Sequence, residues 1–172
     1  RHGNRYYHRD LNFALSFPEG WVIDYNSYYI IRAISRDKQA MLQIEPEPLV
    51  KDISPEEHLK SRMKVLGLDQ VNPVKDLASP SYTGVMNESP AFGKYKTRAA
   101  VVYFNNKCFL FQGASRESSA FAIHDSLFLT TIRSLRTLTE KEKLLAQGTR
   151  MHVVRAQAGD TFATLAQKSS LD

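Results

Sequence analysis

The residues best suited to metal binding in this sequence are five histidines and one cysteine, and they lie far apart. The histidines are His2, His8, His58, His124 and His152. None precedes a glutamate, so the HExxH zinc motif is absent, and no two are spaced four residues apart. A single cysteine cannot supply a Cys/His cluster, so any metal site would have to assemble from distant residues. We therefore predict no metal and no cofactor.

The remaining candidates for catalysis are Cys108 and the carboxylate pair Glu45 and Glu47. Cys108 lies between Lys107 and Phe109 in a strand-like run, which favours a small buried hydrophobic side chain over a nucleophile paired with a distant histidine. Prolines interrupt the strand that carries the two glutamates, so a solvated edge explains them better than acid–base catalysis. Gly-x-Ser-x-Gly, P-loop and GxGxxG motifs are absent. The sequence predicts a protein that is not an enzyme.

Two groups of side chains are candidates for ligand binding. Lys94, Lys96 and Arg98 alternate along a strand, as a patch for an anionic ligand would, although three charges are also typical of an ordinary solvated face. The second group consists of tyrosines that could stack on sugar rings or bases: Tyr6, Tyr7, Tyr25, Tyr28 and Tyr29. Because tyrosine favours strands, the plainer interpretation is that these residues build the sheet.

The composition indicates a globular protein and excludes several functional classes. Of 172 residues, 42% are hydrophobic and 24% are charged, enough for one domain and an appendage. A net charge of +5, dispersed along the chain, does not make the basic surface of a nucleic-acid-binding protein. No apolar run approaches the ~20 residues of a membrane-spanning helix. Because the first residue is Arg1, we expect a processed or excised piece of a longer protein.

Alternating apolar residues predict that the chain begins with strands. Residues 11–17 alternate with period two, Pro18-Glu19-Gly20 is a turn, and residues 21–25 alternate again. We therefore expect the first two strands to pair with each other as a hairpin. Residues 1–10 are polar and aromatic, and we expect them to be partly frayed.

The same alternation predicts six further strands, over residues 28–34, 41–44, 71–77, 82–87, 94–104 and 107–114. Pro46 and Pro48 are expected to stop the 41–44 strand. Asn105-Asn106 is expected to form a tight turn between the last two strands, because asparagine tolerates a positive φ.

Helix signals complete an α+β pattern. Two capping boxes predict the starts of two helices. One box pairs Ser54 with Glu57, and the other pairs Thr139 with Glu142. Gly67 is expected to end the first of these, and apolar spacing predicts another helix over residues 118–135, with a possible break at Asp125. The order of elements predicts an antiparallel sheet with packed helices over residues 1–147. Gly148-Thr149 marks the boundary to a short strand–turn–helix tail over residues 148–172.

The C-terminal part of the sequence resembles two known families. Phe121 to Arg136, followed by Leu138-Thr139-Glu140 and by His152 to Phe162, resembles the C-terminal region of bacterial HtpX-like zinc metallopeptidases. Residues 151–169 alone resemble the first half of a LysM module, which begins with a strand, a Gly-Asp-Thr turn and a helix. This resemblance implies that Gly159, Asp160 and Thr161 border a groove for N-acetylglucosamine polymers; a plain helix N-cap is the alternative for Asp160.

The main body resembles a third family. Phe17-Pro18-Glu19-Gly20-Trp21 is similar to the opening strand and turn of PsbP-like domains, whose order of strands and helices also matches residues 11–135. The chain is therefore expected to be a PsbP-like α+β domain followed by a partial LysM-like tail.

Together these resemblances imply a non-catalytic role in the bacterial periplasm or cell envelope. The metallopeptidase motif is missing, so the chain is expected to be an accessory domain that positions substrate, partner or cell wall beside an upstream catalytic domain of the same native chain. One alternative is a free-standing module that binds peptidoglycan or another glycan. The other is a PsbP-like assembly factor that binds another envelope protein.

Overall fold

The computed structural model of the chain describes residues 4–24, 30–50, 52–63, 67–146, 159 and 161. Its strands are β1 Arg5–His8, β2 Phe13–Ser16, β3 Val22–Asp24, β4 Ile31–Ile34, β5 Ala40–Pro48, β6 Asp69–Pro73, β7 Ser81–Met86, β8 Lys96–Phe104 and β9 Lys107–Ser115. Its helices are α1 Pro55–Met63, α2 Phe121–Arg133 and α3 Glu140–Leu145, with a 3₁₀ turn at Ser118–Ala120 that leads into α2. No helix in these ranges combines the length and apolar character that a membrane span requires.

Seven of the strands form one antiparallel sheet in the order β3-β4-β5-β9-β8-β7-β6. The predicted antiparallel sheet with packed helices is therefore confirmed. The long hairpin β8–β9 lies near its centre and turns at Asn105 and Asn106, whose φ values are 49° and 57°. Positive φ at both positions is what a tight two-residue hairpin turn requires, so the prediction for this turn is also confirmed.

The sheet is covered on both faces. On β9, Phe109 and Phe111 join a core cluster with Phe128 of α2, whereas Cys108 and Leu110 join a second cluster with the buried side chains of α1. Because successive strand residues point to opposite faces, the two helices lie on opposite sides of the sheet. We call these the α1 face and the α2 face.

Within the N-terminal segment that was expected to be partly frayed, residues 5–8 are ordered into a hairpin. Residues 5–8 form β1, which pairs with β2 from Arg5↔Ser16 to His8↔Phe13, while β3 pairs with β4. The predicted hairpin between the first two apolar strands is therefore wrong. Tyr6 explains the difference, because this side chain packs against the main core and gives the polar segment an apolar side to bury.

Strand β5 continues through the two prolines that were expected to stop it. Pro46 and Pro48 pair with Phe109 and Lys107 of β9, whereas the pairing of β5 with β4 ends at Ile44. Proline is tolerated there because this stretch of β5 has a partner on one side. Glu45 and Glu47 consequently lie on an ordered strand, on the α1 face.

The two predicted capping boxes are confirmed. The backbone N–H of Glu57 donates to Ser54 Oγ over 3.2 Å, and the Glu57 carboxylate accepts from the Ser54 backbone. Thr139 and Glu142 repeat this arrangement at α3.

Helix α2 runs without a break past Asp125, because the Asp125 carboxylate is hydrogen-bonded to Arg98 of β8. The boundary predicted at Gly148-Thr149 lies outside the described residues.

An ion pair fixes α3 beside the β1–β2 hairpin. Arg136 bridges the backbone of Ala14 on β2, and its guanidinium donates two hydrogen bonds to Glu142, of 2.6 and 2.7 Å. The bonds from Arg136 and the Thr139 backbone hold the pKa of the Glu142 carboxyl well below its ordinary value of 4.5.

This lowered pKa predicts a loss of stability in acid. The contribution of the carboxylate is complete above its unfolded pKa and is lost as pH falls through the lower folded value. We expect Glu142→Gln to lower Tm clearly at about pH 6, and the gap to wild type to narrow at about pH 2–3. Thermal unfolding across this range tests the prediction, with Glu140→Gln as control because that side chain is 88% exposed. A gap independent of pH would contradict it.

Candidate functional site

The α1 face is apolar under the helix and polar beside it. Helix α1 packs on β7 and β8. Beside it, Gln43 of β5 and Gln112 of β9 pair in register and are 7% and 3% exposed. Arg32 donates to Gln43 Oε1 over 2.9 Å, and Gln43 Nε2 donates to Glu45 Oε1 over 2.6 Å. Arg32, buried Gln43 and half-buried Glu45 therefore form a hydrogen-bonded polar row, and buried Gln112 lies beside it.

A cleft of about 180 Å³ lies between this polar row and α1. It is lined by Gln43, Glu45, Arg62, Met63, Pro90, Ala91, Leu110 and Gln112. The Oε1 atom of Gln112 is buried and has no hydrogen-bond partner in the part of the chain that the structure describes. Because buried acceptors are normally satisfied, the cleft is suited to a small molecule that donates a hydrogen bond.

Three potential metal ligands converge beside the cleft. Glu47 of β5 pairs with Cys108 of β9, which pairs with Tyr103 of β8, so these residues form one row across three strands. His58 of α1 lies over the row. Its Nε2 is 3.3 Å from Glu47 Oε1 and 3.9 Å from Cys108 Sγ, and the three ligand atoms lie within 4.8 Å of one another. We call Glu47, His58 and Cys108 the α1-face cluster.

Tyr103 orients the histidine of this cluster. Its hydroxyl lies 3.1 Å from His58 Nδ1 and 3.1 Å from the carbonyl of Ile53. The hydroxyl has a single proton, and a carbonyl can only accept, so the Tyr103 O–H donates to Ile53 and the His58 Nδ1–H donates to Tyr103. When the ring is neutral, Nε2 therefore carries the lone pair, and this atom faces Glu47 and Cys108.

Arg62 supplies a positive charge at the open side of the cluster. Its Nε lies 3.3 Å from Glu47 Oε1 and its Nη2 lies 3.6 Å from Glu45 Oε2. These are ion-pair distances, yet Glu47 Oε1 is buried without a hydrogen bond of good geometry. The carboxylate is therefore held by charge and still has an unsatisfied acceptor.

The thiol of Cys108 is not activated as a nucleophile. The side chain is fully buried, as the sequence predicted. Burial, and then the negative charge of Glu47, raise the pKa of the thiol to about 12. The thiol is therefore protonated at neutral pH, and the nearby histidine does not by itself make it reactive.

The α2 face carries a different feature, an open apolar groove of about 420 Å³. Its lining residues are Trp21, Ser35, Arg36, Asp37, Ile123, His124 and Leu127. Trp21 meets the buried ring of Phe128 edge-on, with 6.2 Å between centroids. Ile123 on the outer side of α2 is 71% exposed, although it is a large apolar side chain. This groove is the second candidate site.

The predicted anionic-ligand patch does not form one open surface. Arg98 is 6% exposed, and its guanidinium donates two hydrogen bonds of 2.7 Å to Asp125 of α2. The Nζ atom of Lys96 lies 5.0 Å from the centroid of the Phe121 ring, and Lys94 precedes the strand. The structure therefore turns two of the three charges toward α2 and away from a common ligand.

The other predicted binding residues are only partly described. Tyr6 and Tyr7 lie in β1, where they build the small hairpin, whereas Tyr25, Tyr28 and Tyr29 lie outside the described residues. Gly159 has a φ of 95°, which suits a turn, and Thr161 is exposed, but Asp160 and residues 162–172 lie outside the described residues. Glycan binding by Gly159, Asp160 and Thr161 stays a prediction.

Sequence analysis missed the α1-face cluster because its members are far apart in the chain. Cys108 and His58 are separated by 50 residues. One partial signal was available, because the predicted capping box at Ser54 places His58 in the first turn of a helix. Without the strand order, nothing in the sequence placed the three side chains together.

No protein-family model matches the chain, and no curated protein matches it. Among solved structures, it is similar to cyanobacterial PsbP from Synechocystis sp. PCC 6803, with TM-score 0.56 and 13% identity over 78% of this chain and 91% of that one. A point mutant of protein Mog1 gives TM-score 0.55 and 9% identity, covering 83% and 100%. The Saccharomyces cerevisiae Ran-binding protein Mog1p gives 0.51 and 10%, covering 78% and 95%. At these identities the likeness establishes the fold, and the domain has the fold shared by PsbP and Mog1.

Proposed function

We propose that this chain is a non-catalytic protein-binding domain and that its docking surface is the groove of the α2 face. The exposure of Ile123 carries the proposal. This large apolar side chain is 71% exposed and lies beside Trp21 and Leu127 in an open groove. Covering it with a partner would remove apolar surface from water, which is favourable. Aromatic and aliphatic side chains in such a depression are typical of the centre of a protein interface.

The rim of the groove indicates what kind of segment would bind. Asp37 is held within its own turn by Ser35, whose hydroxyl donates over 2.6 Å. Arg36 forms no ion pair with another described residue, so its charge is available to a partner. The occupant that fits is a polypeptide segment with an apolar side chain next to an acidic one.

The fold and the sequence support this role in different ways. One protein of the same fold is named a Ran-binding protein, which is a precedent for protein binding by such a domain. The resemblance of residues 121–162 to HtpX-like metallopeptidases supports a more specific proposal. The domain would serve as an accessory beside the zinc-dependent catalytic domain of the same native chain, in the bacterial periplasm or cell envelope.

Site-specific photo-crosslinking in the source cells tests both levels of the proposal. A photoreactive residue at position 123 should crosslink a polypeptide, whereas the same residue at position 144 should not. Leu144 is a suitable control because it is also a large apolar side chain and is 66% exposed. Crosslinked peptides from an HExxH-containing polypeptide would support the accessory role, and peptides from another envelope protein would overturn it while leaving protein binding.

A binding measurement with the purified partner completes this test. We expect Ile123→Asp to weaken binding by at least about tenfold, because it places a charge in the centre of the interface. Leu144→Asp should bind as wild type does. Equal crosslinking at the two positions, or equal affinity of the two variants, would contradict a docking site on the α2 face.

A further inference from the structure

The α1-face cluster is suited to binding a metal ion, which the proposed protein-binding function does not require. Among the described residues it is the group of three side chains whose ligand atoms converge closely enough to hold one metal ion. His58 is 3% exposed and Cys108 is fully buried, while the side chain of Glu47 is 24% exposed. The cluster is thus enclosed by protein and opens at the carboxylate.

Two of the three spacings between the ligand atoms fit a tetrahedral ion. Zinc lies about 2.0–2.1 Å from a histidine nitrogen, about 2.0–2.2 Å from a carboxylate oxygen and about 2.3 Å from a thiolate. Tetrahedral angles then place nitrogen and oxygen ~3.4 Å apart and nitrogen and sulfur ~3.6 Å apart. The distances from His58 Nε2 are 3.3 Å to Glu47 Oε1 and 3.9 Å to Cys108 Sγ. Both lie within a few tenths of an ångström of these values. The third pair, Glu47 Oε1 and Cys108 Sγ, lies within 4.8 Å, and metal binding would bring it toward ~3.6 Å.

The surrounding hydrogen bonds also prepare the cluster for a cation. The chain from His58 Nδ1 through the Tyr103 hydroxyl to the Ile53 carbonyl leaves the Nε2 lone pair facing inward, as in a ligating histidine. Glu47 Oε1 adds a buried acceptor without a hydrogen bond. The Nε2 atom of His58, the Oε1 atom of Glu47 and the thiol of Cys108 therefore face one common space. A dication in this space would coordinate all three.

The ligand types favour a particular class of metal. One thiolate, one imidazole and one carboxylate make a borderline-soft set, which suits Zn²⁺ better than Mg²⁺ or Ca²⁺. The two negative ligands would balance the charge of a dication. Arg62, which lies beside Glu47, would then remain paired with the carboxylates of Glu45 and Glu47.

From these observations we propose that Glu47 Oε1, His58 Nε2 and Cys108 Sγ bind one Zn²⁺ ion. On binding, the Cys108 thiol gives its proton to solvent and the thiolate bonds to the metal, with no change of oxidation state. A solvent molecule takes the fourth position. Tyr103 acts as a positioning residue, because it fixes the histidine tautomer without touching the metal. This site is separate from the α2-face groove and independent of protein binding there.

Cobalt is the probe that tests this site, because a Co²⁺–thiolate bond gives a charge-transfer band that other cobalt sites lack. Titration of the 172-residue protein with Co²⁺ should give this band and the strong visible bands of four-coordinate cobalt, saturating at one equivalent. Zn²⁺ should abolish both. Cys108→Ser should lose the charge-transfer band, whereas His124→Gln should retain it because His124 lies against Ser115 on the other side of the domain.

Further variants keep the test decisive if Cys108→Ser does not fold. Glu47→Gln should weaken metal binding while Glu45→Gln leaves it nearly unchanged. Tyr103→Phe should weaken it about 10–100-fold and keep the cobalt–thiolate band, as expected for a positioning residue. Zn²⁺ should also raise Tm in wild type but not in Cys108→Ser. Absence of the cobalt–thiolate band in wild type, or equal metal affinity in wild type and Glu47→Gln, would overturn the site.

Discussion

Replacing Asp125 with alanine is expected to lower the free energy of unfolding by about 3 kcal/mol, at the lower end of the cost of breaking a buried ion pair. Arg98 would keep its charge under α2, where its side chain is 8% exposed. The remaining described contact of its guanidinium is a 3.5 Å approach to Thr83 Oγ1. The cost therefore arises from an unpaired buried charge, and thermal or denaturant unfolding measures it directly.

Two controls separate this effect from a general response to losing a carboxylate. Glu56→Ala removes the partner of Lys60 in an exposed pair and should change stability by no more than about 0.5 kcal/mol. The double variant Arg98→Met with Asp125→Leu should recover much of the loss, because a buried pair can be replaced by apolar side chains. If Asp125→Ala costs no more than Glu56→Ala, the pair does not hold α2 on the sheet.

The ion pair also explains why the predicted anionic patch does not form. Strand alternation correctly places Lys96 and Arg98 on one face, but the sequence does not show which helix covers that face. Asp125 lies 27 residues further on, where the sequence alone marks only a candidate helix break. Its carboxylate instead meets Arg98, so one long-range contact accounts for the continuous helix and for the buried charge.

The capping-box and hairpin-turn signals were reliable in this chain, whereas the pairing of distant segments was not predicted. The capping box at Ser54 and the turn at Asn105-Asn106 follow from neighbouring residues, and both were predicted. The pairing of β2 with β1 depends on burial of Tyr6 against a core made by distant strands. The α1-face cluster depends on the position of β5 beside β9, which nothing near Glu47 specifies. The wrong hairpin prediction and the unforeseen cluster therefore have the same cause, which is that the sequence does not specify the order of the strands.

Gly113→Ala is expected to cost about 3 kcal/mol, near the upper end of what overpacking of a core usually costs. A methyl group at this position on β9 would lie 2.4–2.7 Å from three ring atoms of Phe128. That ring is fully buried and packs edge-on against Trp21, so it has no free volume to enter. The contact can be relieved only if α2 moves away from the sheet.

Gly84→Ala is the matched comparison, because its added methyl would lie 2.8 Å from the Leu68 side chain on the α1 face and no nearer than 3.2 Å to backbone, at the Asp69 carbonyl oxygen. A leucine side chain can rotate where a packed aromatic ring cannot, so we expect a loss of about 1 kcal/mol. Denaturant unfolding of the two variants measures the difference. An equal loss of unfolding free energy in the two variants would mean that the Phe128 ring moves aside as readily as the Leu68 side chain. It would also mean that α2 is not tightly packed on the sheet.

The Gly113→Ala variant also tests whether core packing affects the proposed docking surface. Phe128 and Ile123 lie on opposite sides of α2, and the Phe128 ring contacts Trp21 in the groove. A displacement of α2 in Gly113→Ala should therefore also change the spacing between Trp21 and Ile123. We expect crosslinking at position 123 to fall in Gly113→Ala at a temperature where the variant is still folded, and to persist in Gly84→Ala. Unchanged crosslinking in a destabilised Gly113→Ala would show that the groove does not depend on how α2 is seated.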